Sequence, residues 1–263
     1  MTWKSAVREF VPPIVIKALR PTPTIVDANN VYASAHATIA AARAAGLSVG
    51  DYVERLWGEQ GRSASIVERL KSLGAISSAT KHIVEIGAGT GRYIEHTLKV
   101  CRPNRYQSYE LDKAWSAWLA KTYPIEACAS DGKSLKSTKS NSSDLIHAHG
   151  VFVYLPLPVS FSYFKEIVRV AAPGAFSAFD IISEGCLDPQ TVEKWIESGH
   201  DFPRFLSSDY VIRFFEDRDF CLVDRFFWPV NSVSPNISSS VALVDKKHLP
   251  CILLRQAGRL HVL

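Results

Sequence analysis

The chain has 263 residues, of which 47% are hydrophobic and 21% are charged, proportions typical of a globular protein. This composition excludes an intrinsically disordered chain and a coiled coil, and a net charge of +4 is too small to indicate a nucleic-acid partner. The charge excess lies within residues 1–81, which carry ten basic and six acidic side chains, so no basic groove is expected in the remainder.

The first eighty residues predict helices over 31–46, 51–57 and 63–73, with Ser63 as the N-cap of the last helix and Gly74 just beyond its end. From residue 82 onward, short apolar runs alternate with segments of helical patterning. Strands are expected over 82–86, 106–111, 125–129, 144–149 and 175–182, and helices over 92–100, 112–121 and 161–171. This alternation predicts βαβ units and a parallel sheet.

The last third of the chain predicts two further strands, over 220–230 and 238–244. The polar loop between them is too short for a crossover helix, so these strands should pair antiparallel. The expected fold is α/β, a doubly wound and mostly parallel seven-stranded sheet that ends in an antiparallel C-terminal hairpin. Residues 1–80 would form a helical N-terminal extension or lid, and residues 81–263 the sheet domain.

The five cysteines are widely spaced and form no C-x-x-C pair, which argues against a disulfide framework or a zinc knuckle. The first apolar run is short and is interrupted by Pro12 and Pro13, so neither a membrane-spanning helix nor a signal peptide is expected. Both features predict a cytoplasmic protein.

A glycine-rich turn follows the first predicted strand, in the segment 84–91 with the sequence VEIGAGTG. Glycine lets the backbone turn tightly there and lets a ligand approach it closely. The G-x-G-x-x-G pattern of dinucleotide-binding folds does not fit, because Arg92 stands where its third glycine belongs. A strand–helix turn that binds no ligand is the other interpretation.

This turn, with Glu85 before its first glycine, resembles motif I of the class I S-adenosylmethionine-dependent methyltransferases. The resemblance extends to Glu110 after the next strand, to Asp131 after the third, and to the segment 144–156, which resembles motif IV. It covers residues from about 80 to 245 and implies a Rossmann-like methyltransferase domain similar to those of bacterial small-molecule and glycan methyltransferases. The implied cofactor is S-adenosyl-L-methionine, and the implied product is S-adenosyl-L-homocysteine.

The resemblance implies a cofactor site at the carboxyl ends of the first four strands. Glu110 would accept hydrogen bonds from the ribose hydroxyls, and Asp131 would bind the adenine amino group. An ordinary Asp-Gly turn is the alternative at Asp131. The residues assigned to the cofactor are Glu85, Gly87, Ala88, Gly89, Gly91, Tyr93, Glu110, Leu111, Ser130, Asp131, Gly132, His149, Gly150 and Val151.

The candidates for a catalytic general base are His149, Asp180 and His200. His147 and His149 share one face of their strand, and His149 lies nearer the carboxyl end, where ligands bind in such sheets. An imidazole with a pKa of about 6.5 can accept a hydroxyl proton. The alternative is that both histidines only pack against a helix. No metal site is predicted, because the acidic pattern of metal-dependent relatives is not found.

The leading hypothesis is methyl transfer to a hydroxyl of a small molecule or glycan, such as a surface polysaccharide sugar. N-methylation of a small amine and a cofactor-binding scaffold subunit without catalysis are the alternatives, and no nucleic acid is expected as substrate. Residues 3–20 carry a net charge of +3 beside apolar side chains and could contact an anionic membrane surface. An arm packed on its own domain or on a partner subunit, as in a homodimer, is the other interpretation.

Two further segments are candidates for contacting the acceptor. The aromatic side chains of Tyr52 and Trp57 lie just before the sheet begins and could close over the site as part of a lid, while ordinary packing is the alternative. Residues 186–210 occupy the region where the resemblance places substrate-recognition insertions, so Trp195, His200 and Arg204 could line an acceptor pocket.

Overall fold

The computed structural model describes residues 34–198, 204–229 and 248–256. Among these residues, three helices precede the sheet: α1 Ala35–Ala44, α2 Val49–Leu56 and α3 Arg62–Ser72. The hydroxyl of Ser48 starts α2 by accepting a hydrogen bond from the Asp51 amide at 3.1 Å. The part of the chain that the structure describes contains no helix long and apolar enough to cross a membrane.

The start of α3 differs from the prediction. Its N-cap is Gly61, with φ +79°, and not Ser63, which lies inside the helix. The carboxylate of Glu54, on α2, accepts hydrogen bonds from the amides of Gly61 at 2.7 Å and Ser63 at 2.8 Å. A cap supplied by a neighbouring helix leaves no local sequence pattern, which is why the position was misplaced.

The end of α3 is as predicted. Gly74 has φ +81° and directly follows the last helical turn. Its amide donates to the carbonyl of Lys71, and the amide of Ala75 donates to that of Leu70, the two bonds of a Schellman motif.

The sheet domain alternates strands and helices from residue 82 onward. Its elements are β1 His82–Ile86, α4 Arg92–Val100, β2 Arg105–Tyr109, α5 Lys113–Thr122, β3 Glu126–Ala127, β4 Ser143–Ala148, α6 Leu157–Val170, β5 Ala171–Asp180, a 3-10 turn Glu184–Cys186, α7 Pro189–Ser198, α8 Ser208–Glu216, β6 Phe220–Pro229 and β7 His248–Gln256.

The seven strands form one sheet in the order β3-β2-β1-β4-β5-β7-β6. Strands β1 to β5 pair in parallel, whereas β7 is antiparallel to both β5 and β6. This confirms the predicted doubly wound sheet with an antiparallel C-terminal pair. The strand order reverses between β1 and β4, and ligands bind in such sheets at the crevice beyond that point.

The partner of β6 lies later in the chain than expected. The strand predicted over 238–244 falls outside the described residues, and β6 pairs with His248–Gln256. Other boundaries shift by a few residues. Helix α6 begins at Leu157, with Pro158 in its first turn, and β5 begins at Ala171, because the apolar pattern alone does not fix where a helix gives way to a strand.

Two apolar clusters cover the two faces of the sheet. One packs under α6 and α8 and includes Val84, Ile86, Ile146, Phe164, Phe179 and Phe215. The other packs under α3, α4 and α5 and includes Ile66, Ile83, Ile94, Leu119, Leu145 and Leu253. Because side chains alternate along a strand, Glu85 lies on the same face as Ile83, beneath α3 and α4.

The N-terminal helices contact the sheet domain directly. A Cβ placed on Gly50 of α2 would lie only 2.9 Å from Cβ of Arg92 at the start of α4, so the two helices approach closely. The division between residues 1–80 and 81–263 stays a prediction, but within the described chain α2 and α3 pack against the sheet domain.

Candidate active site

The turn between β1 and α4 contains three glycines with positive φ: +68° at Gly87, +50° at Gly89 and +71° at Gly91. A Cβ at Gly87 would lie 2.7 Å from Cγ2 of Val151, and one at Gly91 would lie 2.7 Å from Cε2 of Tyr123. At Gly89 the nearest atom would be the Gly87 carbonyl oxygen, at 3.9 Å. Packing requires the outer two glycines, whereas Gly89 leaves space in which a ligand can approach the backbone.

Glu110 follows β2 and lies beside this turn. Its Oε2 accepts a hydrogen bond from the Gly89 amide at 2.7 Å, and its Oε1 accepts one from the Asp112 amide at 2.8 Å. Burial raises the pKa of the carboxyl, and these amides oppose that effect. The structure thus brings Glu110 and Gly89 together, while the assignment of Glu110 to the ribose stays a prediction.

The loop after β3 uses the carboxylate of Asp131 for its own structure. The amides of Lys133 and Ser134 donate to its Oδ1 at 3.1 and 2.8 Å, and Nζ of Lys136 lies 3.0 Å from its Oδ2. Desolvation works against ionisation, but the hydrogen bonds from Ser134 and Lys136 outweigh it and hold the pKa of Asp131 below its usual range. These contacts support the turn interpretation, and binding of an adenine amino group stays a prediction.

An apolar surface adjoins that loop. The side chain of Leu111 is 50% exposed, and a Cβ at Gly132 would lie 3.8 Å from both of its methyl groups. The hydroxyl of Ser130 accepts a long hydrogen bond of 3.3 Å from the Gly132 amide. The exposed side chain of Leu111 offers an apolar surface on which a planar ring of a ligand can pack.

His149 follows β4, and its side chain is fully buried. Its ring stacks on that of Tyr93, with centroids 4.2 Å apart and planes inclined by 26°. Neither ring nitrogen has a hydrogen-bond partner among the described residues. Burial holds the pKa of His149 well below its usual value, and the nearby charges of Arg62 and Arg92 act in the same direction. The imidazole is therefore neutral near pH 7, and the burial that keeps it neutral also makes it a weaker base than a free imidazole.

Asp180 ends β5 and is buried beside His149. Its Oδ1 accepts a hydrogen bond from the Gly150 amide at 2.7 Å, and its Oδ2 lies 3.3 Å from Nη2 of Arg62 and 3.9 Å from Nδ1 of His149. Burial raises the pKa of Asp180, and Arg62 opposes that effect. Since both oxygens already have partners, these contacts favour a positioning role for Asp180 over the predicted role as a base.

Residues 84–179, from within β1 to the penultimate residue of β5, match the family model described as Methyltransferase domain. This chain contains a class I S-adenosylmethionine-dependent methyltransferase domain. The predicted family, enzyme class and cofactor are thereby confirmed, while the specific likeness to glycan methyltransferases stays a prediction. No curated protein matches the sequence.

Solved structures share the fold of this methyltransferase. A putative sarcosine dimethylglycine methyltransferase from Galdieria sulphuraria aligns with a TM-score of 0.58 and 13% identity, over 74% of this chain and 86% of that chain. The magnesium protoporphyrin IX methyltransferase from Synechocystis PCC 6803, solved with bound SAH, aligns with a TM-score of 0.55 and 11% identity, over 79% and 86% of the two chains. At these identities the likeness shows the fold alone.

A buried ion-pair network links the N-terminal helices to the methyltransferase domain. Oε1 of Glu59 lies 2.8 Å from Nη1 of Arg62, and its Oε2 lies 3.2 Å from Nη1 of Arg92. The three side chains are at most 10% exposed. The guanidinium of Arg92 also lies 5.2 Å from the rings of Trp57 and Tyr93. Sequence analysis missed this network, because Glu59 and Arg62 have the spacing of an ordinary exposed helical pair.

Several predicted residues cannot be placed in this site. His200 and residues 3–20 lie outside the described residues. The catalytic role of His200 therefore stays a prediction. The backbone amide of Arg204 donates to the carbonyl of Val153 at 2.8 Å, which holds this segment against the loop after β4. Across residues 34–198, 204–229 and 248–256, no group of three or more His, Cys, Asp or Glu side chains is arranged to hold a metal ion.

Glu85 is buried on the sheet face beneath α4. Its Oε2 lies 2.5 Å from the Tyr106 hydroxyl, which in turn lies 3.0 Å from Nε2 of His147. Burial raises the pKa of Glu85 from its ordinary value of 4.5 to about 8, and the Tyr106 hydrogen bond opposes that rise.

Glu85 should make the stability of the methyltransferase depend on pH. Between about pH 4.5 and pH 8 the native carboxyl holds a proton that the unfolded chain has lost, so the stability it contributes is full below pH 4.5 and is lost as the pH rises to about 8. We expect Glu85→Gln to flatten this fall, measured by urea unfolding across that range. Glu68→Gln, at an exposed position of α3, should follow the wild type. A constant difference between wild type and Glu85→Gln at every pH would contradict the expectation.

Proposed function

We propose that this methyltransferase transfers a methyl group from S-adenosyl-L-methionine to a hydroxyl of a small molecule or glycan, with His149 as the general base. The observation that carries the proposal is the neutral, buried imidazole of His149, whose nitrogens have no partner among the described residues. It stands at the carboxyl end of β4, next to the strand-order reversal where such sheets bind ligands.

Methyl transfer to a hydroxyl places one main demand on the side chains. The cofactor supplies a methyl group on a sulfonium, which is already a good leaving group, so the protein chiefly aligns the reactants. A hydroxyl becomes a strong nucleophile only when its proton is removed, and this requires a base that is neutral at the working pH. Burial and the charges of Arg62 and Arg92 keep His149 in that state.

Asp180 would set the orientation of the base. Its Oδ2 lies 3.9 Å from Nδ1 of His149, so its negative charge favours the tautomer with the proton on Nδ1. The lone pair then resides on Nε2, which would face the acceptor hydroxyl. Asp180 also holds the Gly150 amide at 2.7 Å and thereby fixes the backbone beside the base.

The residues present fit the cofactor. The space over Gly89 would admit its backbone-facing part, and Glu110 lies where a carboxylate could accept hydrogen bonds from ribose hydroxyls. The exposed side chain of Leu111 could pack against the adenine ring. The proposed partners are the acceptor and the cofactor, without nucleic acid. A cytoplasmic location, a membrane contact through residues 3–20 and a homodimer remain proposals on sequence grounds.

The test begins with cofactor binding and then searches for the acceptor. Titration calorimetry with S-adenosyl-L-homocysteine should show binding to the wild type, and the affinity of His149→Asn measures how far this side chain also contacts the cofactor, as the resemblance implies. Methyl transfer from labelled S-adenosyl-L-methionine is then screened on hydroxyl acceptors, sugars first, and on small amines. On a hydroxyl acceptor, His149→Asn should lower kcat by about 100- to 10,000-fold.

The control is His36→Asn, which replaces an exposed histidine on α1 and should leave kcat unchanged. If only amines are methylated, the acceptor atom is a nitrogen and the proposed hydroxyl acceptor is wrong. Turnover of a hydroxyl that survives in His149→Asn would remove His149 from the mechanism. Binding of S-adenosyl-L-homocysteine without any methyl transfer would favour a scaffold subunit.

A further inference from the structure

Three polar side chains on neighbouring strands form a buried hydrogen-bonded chain that the proposed function does not use. Glu85 on β1 contacts Tyr106 on β2, and Tyr106 contacts His147 on β4, over distances of 2.5 and 3.0 Å. All three side chains are at most 2% exposed. Glu85 and His147 are also direct neighbours in the register of β1 and β4, with Nε2 of His147 3.7 Å from Oε2 of Glu85.

This chain leads to the proposed base. The rings of His147 and His149 lie on the same side of β4, with centroids 5.5 Å apart. Nε2 of His147 is engaged by Tyr106, whereas Nδ1 has no partner among the residues that the structure describes, and the same holds for both nitrogens of His149. The imidazole of His149 is therefore a neighbour of the chain that ends at His147, and no direct hydrogen bond joins the two rings among the described residues.

We propose that His147, Tyr106 and Glu85 form a buried proton relay that carries the acceptor's proton from His149 to the Glu85 carboxylate. The relay rests on the proposed function, because His149 is the base that delivers the proton to it. Because the His149 side chain has no exposed surface, the relay would move the proton to a second buried group, Glu85, and away from the reacting atoms.

The proton transfers balance as follows. The acceptor O–H bond breaks and its proton goes to His149, while the new O–C bond forms and the C–S bond breaks with its electron pair on sulfur. His149 passes the proton to Nδ1 of His147 through a bridging hydroxyl or water. His147 gives its Nε2 proton to the Tyr106 oxygen, and Tyr106 gives its own proton to Glu85. The neutral thioether and the neutral carboxylic acid replace a sulfonium and a carboxylate.

The surroundings of Glu85 suit the last proton acceptor of the relay, because they leave its charge sensitive to the charge of a bound ligand. Among the described residues no lysine or arginine lies within ion-pair distance of this carboxylate. The charge of Arg92 favours its ionised form from a distance, and that of Glu110 disfavours it. The titratable or charged groups near Glu85 are Tyr106 from β2, His147 from β4, Glu110 beyond β2, Arg92 from α4 and Tyr123 beyond α5.

A positive ligand charge in this site would therefore act as the missing counterion. It would keep Glu85 ionised before transfer, and its loss on transfer would raise the proton affinity of Glu85 when the proton is released. Burial already places the pKa of Glu85 at about 8, so a modest change in local charge is enough to move it across neutral pH.

The test follows the two ring nitrogens of His147 by NMR in protein labelled with ¹⁵N-histidine, during a pH titration. With Glu85 ionised, Tyr106 donates to Glu85 and His147 carries its proton on Nε2; with Glu85 protonated, the donors reverse and the proton moves to Nδ1. We expect this change of tautomer near pH 8 in an imidazole that stays neutral. Tyr106→Phe and Glu85→Gln should each abolish it.

The same titration in the two ligand complexes tests the charge coupling. The midpoint should lie about one pH unit or more lower with S-adenosyl-L-methionine than with S-adenosyl-L-homocysteine. A cooperative urea-unfolding transition confirms that each variant is folded. A His147 tautomer that is independent of pH, a step that persists in Tyr106→Phe, or equal midpoints in the two complexes would overturn the relay.

These measurements need no acceptor, so they separate the relay from the proposed function. If the step is found but no hydroxyl is methylated, the assignment of the acceptor fails and the hydrogen-bonded chain stands. If a hydroxyl is methylated but the step is missing, the relay fails alone. With a hydroxyl acceptor in hand, Tyr106→Phe should lower kcat at least tenfold and leave KM for the acceptor unchanged.

Discussion

Gly91→Ala is expected to lower the free energy of unfolding by about 2–5 kcal/mol, whereas Gly89→Ala should lower it by only about 1 kcal/mol. Both positions have positive φ, so an alanine at either one is destabilised by the strain of a left-handed backbone. At Gly91 the new methyl would also lie 2.7 Å from the Tyr123 ring and 2.8 Å from Leu119, atoms of the packed core. At Gly89 it would meet no side chain within 4 Å.

Ligand binding should show the reverse order for the two variants. The Gly89 methyl would fill the space through which the cofactor reaches the turn, so Gly89→Ala should weaken S-adenosyl-L-homocysteine binding by about 10- to 100-fold. Urea unfolding and titration calorimetry on both variants measure the two effects separately. Unweakened binding by a folded Gly89→Ala would show that the cofactor does not approach the turn at this residue.

Glu59→Ala is expected to lower the free energy of unfolding by about 3–5 kcal/mol, the usual cost of leaving a buried charge without its partner. Glu59 is shared by Arg62 and Arg92, at 2.8 and 3.2 Å, and both guanidinium groups are almost completely buried. Arg62 would keep Asp180 at 3.3 Å, and Arg92 would keep only the more distant Glu54 at 4.0 Å.

The matched control is Glu68→Ala on helix α3. Glu68 pairs with Lys71 at 3.3 Å, but both side chains are at least half exposed, so the loss should stay below about 0.5 kcal/mol. Urea unfolding of both variants and of Glu59→Gln gives the comparison. Equal stability of Glu59→Ala and Glu68→Ala would mean that the network contributes nothing to holding the N-terminal helices in place.

The sheet domain was predictable because its signals are local. Apolar strands and helical periods alternate from residue 82, and Gly74 and the glycine turn mark ends of elements by backbone conformation alone. The second strand of the C-terminal pair was misplaced, because β7 is identified by its pairing with β5 and β6 and not by its own pattern. The cap of α3 was missed for the same reason, since Glu54 comes from another helix.

In the candidate site too, the features with local signals could be predicted and those that depend on long-range contacts could not. The placement of His149 at a strand end followed from the strand pattern, and the placement of Glu110 at the cofactor site followed from the resemblance. The partners of those residues did not, because they come from distant parts of the chain: Arg62 reaches Asp180 across 118 residues, and Tyr106 reaches His147 across 41. Long-range contacts decide which charges are buried together, and no single-sequence pattern reports them.

The position of β7 has a consequence for biosynthesis. This strand, residues 248–256, is inserted between β5 and β6, and the completely buried side chains of Ile252, Leu253 and Leu254 complete both apolar clusters. While the ribosome is still adding earlier residues, the open edge of β5 has no partner strand and both cores lack these side chains. The nascent chain must therefore carry an unpaired, apolar sheet edge until residue 256 has emerged, and in that interval it needs protection from aggregation.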